Sequence, residues 1–255
     1  MTLRAKLTQL PTWQLAGTAA GAMLTAAAVI TGAVVIDHRQ AALAEPVRAA
    51  TTNSGPAARD VTIQLNFAAL PDGRIPDHLG NVALSTVEAG RSLTPMQVLD
   101  GQLRHGAPTD SDASSEMVAE LPQPVTQIGA TIIFPPYSGS VALAAWDSQP
   151  FPDAKPDAGI HMVVGPDRWE MSVWDANAGR DVLAGGNYPA GKPGTAQSFQ
   201  VVRNGDTAVL TTPDGKQHSV TDPRVGQWTG SSATWELYET QPGLTPASIS
   251  ALWAT

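Results

Sequence analysis

The chain opens with one long apolar stretch and then changes to short alternating runs. Residues 15–36 form 22 consecutive positions without a charge, Asn, Gln or Pro, whereas residues 61–67 alternate apolar and polar side chains with a period of two. A helix of the first length reaches about 33 Å, enough for a hydrocarbon core of about 30 Å. The alternation is typical of a half-buried strand. The pattern therefore predicts a membrane span followed by a β-rich body.

Short runs rich in β-branched and aromatic residues continue through the body, with Pro and Gly clusters between them. They lie at 82–87, 128–134, 141–146, 160–164, 169–174, 199–210, 216–221, 233–238 and 248–253. Asn204-Gly205 is the preferred pair for a two-residue type I′ hairpin turn. About ten short strands in one domain predict an all-β fold, a two-sheet antiparallel β-sandwich of the jelly-roll type.

Two places in the body have helical features. Thr94 followed by Pro95 has the form of a helix N-cap and first helical position, which predicts a short helix through Leu103. Residues 114–121 predict a further helical turn. The rest of segment 68–127 is expected to consist of long loops with one or two strands.

The N-terminal 36 residues predict a single-pass membrane protein. Residues 1–14 carry two basic residues and no acid, which favours a cytoplasmic N-terminus and an extracytoplasmic body. Residues 15–36 are interpreted as an uncleaved signal anchor in the lipid bilayer. Gly17 and Gly21 are spaced for close helix pairing, and a homodimer through them is a candidate, although such spacings arise easily in an Ala- and Gly-rich span.

Residues 37–60 join this span to the body at 61–255. Ala, Thr, Ser, Gly and Pro dominate and no apolar period is visible, which predicts a flexible linker. The alternative is cleavage following Ala44, after a small-x-small site, which would give a secreted protein.

Charge and cysteine content exclude several function classes. Residues 1–60 have a net charge of +2 and residues 61–255 a net charge of −10. A body this acidic lacks the basic face that nucleic acids require, so no nucleic-acid partner is expected. The chain has no cysteine, which excludes thiolate catalysis and Cys-ligated metal sites.

The order of strands and turns is similar to that of a known family. The residues concerned are HMVVGPDRWEMSVWD at 161–175, GNYP at 186–189, FQVVRNGDTAVLTTPDGKQHSVTDPRV at 199–225 and ATWELYE at 233–239. They resemble the C-terminal half of a concanavalin A-like lectin/glucanase (LamG-like) jelly roll, and residues 61–67 and 129–146 fit its earlier strands. The resemblance implies binding of glycan or protein at one sheet or at loop tips, in some members with calcium, and hydrolysis in some branches.

Catalytic motifs are missing from the sequence. Glucanases of this fold resemble one another in an E-x-D-x-x-E strand, which does not occur here. Glu170 and Asp175 are five apart and Glu236 and Glu239 three apart, so neither pair shares a strand face. No Gly-x-Ser-x-Gly elbow or phosphate loop occurs either. The sequence therefore predicts a protein that is not an enzyme.

Four residues are the candidates for ligand binding. Trp146, Asp147, Tyr188 and Trp228 fall at predicted strand ends or in loops, where an aromatic ring can remain exposed and stack on a sugar. The competing interpretation is that these rings belong to the core.

Calcium is the one candidate cofactor. Asp147, Asp153 and Asp157 lie in a Pro-rich segment, where carboxylates and backbone carbonyls could surround the ion. Solvated loop acids are the alternative.

Together these features predict a membrane-anchored, extracytoplasmic, lectin-like binding module that recognises an envelope glycan or a membrane or envelope protein without catalysis. The alternatives are a diverged glycoside hydrolase and a structural subunit that docks onto another membrane protein.

Overall fold

Strands dominate the part of the chain that the computed structural model describes, which is residues 62–89, 95–104, 113–146, 158–175, 179–227, 230–239 and 245–255. Within these ranges no helix is long and apolar enough to cross a membrane. The predicted N-terminus, span and linker at 1–60, with Gly17, Gly21 and the cleavage site after Ala44, lie outside the described residues.

The strands are short and follow one another closely. In chain order they are β1 (Ile63–Asn66), β2 (His78–Leu79), β3 (Val82–Ala89), β4 (Gln97–Leu99), β5 (Gln102–Arg104), β6 (Ala113–Glu120), β7 (Gln127–Ile133), β8 (Ser140–Trp146), β9 (Ala158–Val164), β10 (Arg168–Asp175), β11 (Gly179–Asn187), β12 (Ala196–Asn204), β13 (Thr207–Thr211), β14 (Gln217–Thr221), β15 (Ser232–Glu239) and β16 (Ser248–Ala254). A 3₁₀ turn at Phe67–Ala69 and the short helix α1 (Pro223–Gln227) complete the described elements.

These strands form two sheets. The first has the order β14-β13-β12-β7-β16-β5-β4, with β1 also paired to β16. The second has the order β11-β10-β9-β8-β15-β6-β3-β2. The ladders within each sheet are antiparallel. The predicted all-β, two-sheet antiparallel sandwich is therefore confirmed for the described residues.

The core lies between the sheets, and one tryptophan in it forms a hydrogen bond from the second sheet to the first. Trp235 of β15 is 0% exposed, and its Nε1 donates a hydrogen bond of 2.9 Å to the carbonyl oxygen of Gly129 on β7. Because successive strand residues point to opposite faces, burial of Trp235 places Thr234 and Glu236 on the other side of the second sheet.

The helix predicted through Leu103 is wrong, because this segment forms a hairpin of β4 and β5. Val98 and Leu103 both point into the core. Asp100 and Gly101 have φ of 52° and 70°, as a two-residue type I′ turn requires, and Asp-Gly is a preferred pair for that turn. The turn and the core contacts outweigh the local N-cap pattern.

The helical turn predicted at 114–121 is also wrong. These residues form β6, which pairs with β3 on one side and β15 on the other. Pairing on both edges satisfies the backbone more fully than an isolated turn of helix does. The strand expected around 82–87 is confirmed as β3.

The hairpin predicted at Asn204-Gly205 is confirmed, but its turn type is wrong. Asn204 pairs with Thr207, so the two central residues are Gly205 and Asp206. Gly205 has a φ of 56°, and Asp206 is not among the described residues with positive φ. A positive φ at the first central residue alone is the pattern of a type II′ turn, which takes Gly at that place.

Substitution of this glycine tests the turn. Gly205→Val places a β-branched residue in the left-handed region, so we expect a loss of about 1–2 kcal/mol of unfolding free energy. Thermal unfolding of the purified protein measures it, with a drop of roughly 2–4 °C per kcal/mol. Gly205→Asn is the control, since Asn tolerates a positive φ. Equal melting temperatures for the Val variant and the native protein would contradict the assignment.

Candidate functional site

The second sheet has a polar surface on the side away from the core, here called the polar face. On β15 the core side chains are Ala233, Trp235 and Leu237, which leaves the alternate residues on this face. Antiparallel register continues the face across the neighbouring strands. Its polar members include Ser114, Glu116, His161, Glu170, Ser172, Arg180, Ser232, Thr234, Glu236 and Tyr238.

Two glutamates lie directly opposite each other at the centre of the polar face. Glu116 of β6 and Glu236 of β15 are Cα partners in the antiparallel ladder, which places their Cβ atoms about 4.5–5.5 Å apart. Glu116 is 2% exposed and Glu236 is 7% exposed. Burial, together with the charge of Glu236, raises the pKa of Glu116 well above its usual range. Glu116 therefore keeps its proton to a higher pH than an ordinary carboxyl does.

A histidine approaches the same carboxylate across β8. The Nε2 atom of His161 lies 3.7 Å from an oxygen of Glu236, although β8 separates their two strands. The residues of β8 that lie between Glu236 and His161 on this face are Ala142 and Ala144. Because their side chains are small, the imidazole and the carboxylate can meet above them.

A buried arginine brings positive charge to the face from β11. The guanidinium of Arg180 forms an ion pair with Glu170, and its Nε donates a hydrogen bond of 3.2 Å to the hydroxyl of Ser172. Burial lowers the pKa of Arg180, and the charges of Glu236 and Tyr238 act in the opposite direction. Arg180 is thus held in place by two partners while its charge acts on the glutamate pair.

Five buried acceptor atoms of β6 and β15 on the polar face have no hydrogen-bond partner in the described part of the chain. They are Ser114 Oγ, Glu116 Oε2, Ser232 Oγ, Thr234 Oγ1 and Glu236 Oε1. A buried polar atom without a partner costs about 1–3 kcal/mol, and more when it is charged. These atoms lie on two neighbouring strands and point to one side of one sheet, so a single bound molecule with several donors could satisfy them.

The polar face is buried in its middle and open at its sides. Ser85 on β3 is exposed, and Val182 on β11 is 49% exposed. Both belong to this face, since Ser85 pairs with Val118 and Val182 pairs with Ser172. Exposed parts of the polar face therefore flank the buried glutamate pair on both sides.

Replacing one glutamate tests its state of protonation. Because the folded-state pKa of Glu116 is raised, the folded protein binds more protons than the unfolded chain above a pH of about 4.3, and stability falls as pH rises toward the folded-state pKa. Glu116→Gln removes this dependence. We expect the variant to match the native protein near pH 4 and to melt at a higher temperature than the native protein at pH 8. The difference in melting temperature should grow by about 3–6 °C per pH unit between the unfolded-state and folded-state pKa of Glu116.

The matched control for this measurement is Glu120→Gln, an exposed glutamate on the same strand. Its melting temperature should follow that of the native protein at both pH values. A Glu116→Gln variant that is less stable than the native protein at pH 8 would contradict the protonated state.

Of the sequence-predicted binding residues, Tyr188 is the one whose side chain the structure describes. Its ring is 5% exposed and packs edge-on against Phe199 at 5.6 Å between centroids. Its hydroxyl donates a hydrogen bond to the carbonyl oxygen of Gly165, and burial raises its pKa. The expectation of an exposed ring at Tyr188 is therefore wrong, because the ring fills the core at the end of β11.

The side chains of the other predicted binding and metal residues lie outside the part of the chain that the structure describes. The backbone of Trp146 ends β8 and pairs with Ser232 and Gly159, and its side chain is outside the description. Asp147, Trp228, Asp153 and Asp157 lie outside the described residues. Among the residues that are described, no three His, Asp or Glu side chains are grouped to hold a metal ion. Calcium binding at Asp147, Asp153 and Asp157 stays a prediction.

The glutamate pair cannot be recognised from the spacing of carboxylates along a single strand. Glu116 and Glu236 lie on two strands that are distant in the sequence, and pairing of these strands brings them together. The alternation in ASSEMVAE and ATWELYE would have placed both glutamates on outward faces. The first of these segments had been assigned to a helical turn, so the pairing was not considered.

Comparison with solved structures identifies the fold of the described residues. No protein-family model and no curated protein matches the chain. A β-glucanase of Bacillus licheniformis aligns with a TM-score of 0.50 and 10% identity over 76% of this chain and 97% of that one. The CBM2 module of the evolved Dit of Lactobacillus casei BL23 phage J-1 aligns with a TM-score of 0.51 and 12% identity over 76% and 94%.

The described body has the jelly-roll fold of concanavalin A-like proteins. This follows from the two alignments and from the two antiparallel sheets, and it confirms the fold part of the resemblance seen in the sequence. At these identities the likeness concerns the fold alone. The LamG branch and the absence of catalysis stay predictions.

Proposed function

We propose that this protein is a lectin-like, extracytoplasmic glycan-binding module, anchored to the membrane by residues 15–36, and that the glycan binds on the polar face. The observation that carries the proposal is the group of five buried acceptor atoms without partners on β6 and β15, on the same face as Arg180 and His161. Sugar hydroxyls supply hydrogen-bond donors at close spacing, as such a group requires.

The charge of the body limits the class of glycan. A net charge of −10 for residues 61–255 repels acidic polymers at long range. The glutamate pair repels them again at the site. Polysaccharides rich in uronic acid, phosphate or sulfate are therefore poor ligands for this face.

A glycan array and a titration test the proposal. We expect the full-length protein in detergent to bind at least one carbohydrate, and Glu236→Gln to weaken that binding about 10- to 100-fold, because a hydrogen bond to a charged group contributes about 1.5–3 kcal/mol. Asp206→Asn removes an exposed carboxylate of the β12–β13 turn and should bind like the native protein. Binding that is equal in all three proteins would place the ligand away from the polar face.

Glycoside hydrolysis is a second candidate, favoured by the glutamate pair itself. Retaining glycosidases hold two carboxyl groups about 5–5.5 Å apart, one protonated as acid and one ionised as nucleophile. Glu116 and Glu236 are cross-strand partners, whose Cβ atoms lie about 4.5–5.5 Å apart, and the raised pKa of Glu116 suits the acid. Reducing ends released from β-glucans by the native protein, and lost in Glu236→Gln, would establish this activity in place of binding alone.

A further inference from the structure

We propose that the polar face recognises a protonated amine, so that the glycan it binds contains an amino sugar with a free ammonium group. This inference rests on the proposed glycan binding and names the chemical class of the ligand. Glu116 and Glu236 would hold the ammonium between them.

The first argument is that no lysine or arginine among the described residues forms an ion pair with the glutamate pair. Arg180 pairs with Glu170, and its charge also acts on Glu236. The Nε2 atom of His161 lies 3.7 Å from Glu236, beyond hydrogen-bond distance. The two opposed, buried carboxyl groups therefore stand without an ion pair to lysine or arginine.

The second argument concerns the kind of donor that the pair requires. A hydroxyl donates one hydrogen bond and carries no charge, whereas an ammonium has three donors and a positive charge. Glu116 Oε2 and Glu236 Oε1 are both free to accept. One ammonium can bind both oxygens and neutralise the repulsion between the carboxylates, which a neutral hydroxyl cannot do.

The third argument comes from the hydroxyls beside the pair. Thr234 lies two residues from Glu236 along β15, and Ser114 lies two residues from Glu116 along β6. Two residues of strand span about 7 Å, similar to the length of one pyranose unit. Thr234 pairs with Val118 and Ser114 pairs with Tyr238, so the two hydroxyls lie on opposite sides of the glutamate pair. Their partnerless oxygens are placed to accept from the sugar units on either side of the one whose amine lies between the glutamates.

Binding of an ammonium changes the protonation of Glu116. The groups that face Glu116 from the packed elements are Glu236 and Tyr238 on β15, His161 on β9, Glu170 on β10 and Arg180 on β11, while β3 contributes Val87. When a sugar that already carries its ammonium proton enters, the carboxyl of Glu116 ionises and its proton passes to the buffer. The complex then contains one cation between two carboxylates. A neutral amine would instead take that proton from Glu116, and none would reach the buffer.

Titration calorimetry of the full-length protein in detergent tests this inference. The probes are chitosan oligomers, which have free amines, the corresponding fully N-acetylated oligomers, and oligogalacturonate. We expect the chitosan oligomer to bind at least tenfold more tightly than the acetylated one and oligogalacturonate not to bind. Titrations at a pH below the pKa of the glucosamine amine, in two buffers of different ionisation enthalpy, should show a net release of protons when a chitosan oligomer binds.

Two variants with the same change in net charge separate site binding from general attraction of a cation to an acidic protein. Glu236→Gln should lose the preference for the free amine and the proton release, and Asp206→Asn should keep both. Equal loss in the two variants would overturn the inference. So would a lysine peptide that binds as tightly as chitosan with the same proton release, because the ligand would then be an amine of a protein.

The outcomes also distinguish this inference from the proposed function. If an acetylated or other neutral oligosaccharide binds as well as chitosan and Glu236→Gln weakens it, glycan binding stands and the amine preference is wrong. If neither these oligomers nor any carbohydrate of the array binds, the proposed function itself is wrong.

Discussion

Trp235→Ala is expected to lower the unfolding free energy by about 3–5 kcal/mol, the largest effect of any single change considered for this protein. The side chain is fully buried, and its Nε1 donates to the Gly129 carbonyl oxygen of the opposite sheet. Removing it leaves a large cavity and an unpaired carbonyl oxygen. Chemical denaturation measures the free energy, and the melting temperature should fall by roughly 6–20 °C.

Trp235→Phe is the control for the tryptophan prediction. It keeps most of the buried ring and removes the hydrogen bond to Gly129, so the expected loss is smaller, about 1–3 kcal/mol. If the Ala variant cost no more than the Phe variant, the ring would not be packed between the sheets as the structure has it. Since Trp235 separates Thr234 from Glu236 on β15, ligand binding should weaken along with stability in the Ala variant.

Gly129→Val is expected to cost about 3 kcal/mol, at the upper end of the usual range for overpacking. A Cβ atom at Gly129 would lie 2.4 Å from the indole carbons of Trp253. Trp253 is buried on β16, which pairs with β7, so its ring has little room to move. Denaturant unfolding of the variant measures the loss.

A double-mutant cycle with Trp253→Leu identifies the cause of that loss. If the valine clashes with the indole ring, the double variant should lose at least about 1 kcal/mol less than the two single losses added together. Simple additivity would show that Gly129 is required for some reason other than the contact with Trp253.

The fold was largely predictable from local patterns. Alternation and turn residues predicted eleven of the sixteen described strands close to their observed bounds, including β7, β8, β12 and β16. The errors came from local patterns that compete with pairing. Thr94-Pro95 has the form of a helix N-cap, but Asp100-Gly101 forms a tight turn and Val98 packs in the core. Strand β11, with three Gly among its nine residues, has too weak an apolar pattern to be recognised.

The candidate site was much less predictable than the fold. Exposure of Tyr188 was inferred from its place at a strand end, yet the ring is buried by Phe199 and its hydroxyl has a partner in Gly165. Glu116 and Glu236 are 120 positions apart in the sequence, and only the pairing of β6 with β15 makes them neighbours. Register between distant strands depends on the whole core, which no local window contains.

A crystal structure of the protein with its tightest-binding carbohydrate tests the central claim, which is that the ligand occupies the polar face of the second sheet. We expect ligand atoms within about 3.2 Å of the carboxylate oxygens of Glu116 and Glu236, and sugar hydroxyls near Thr234 or Ser114. A carbohydrate bound at the loop tips or on the first sheet, with the two glutamates untouched, would contradict the account.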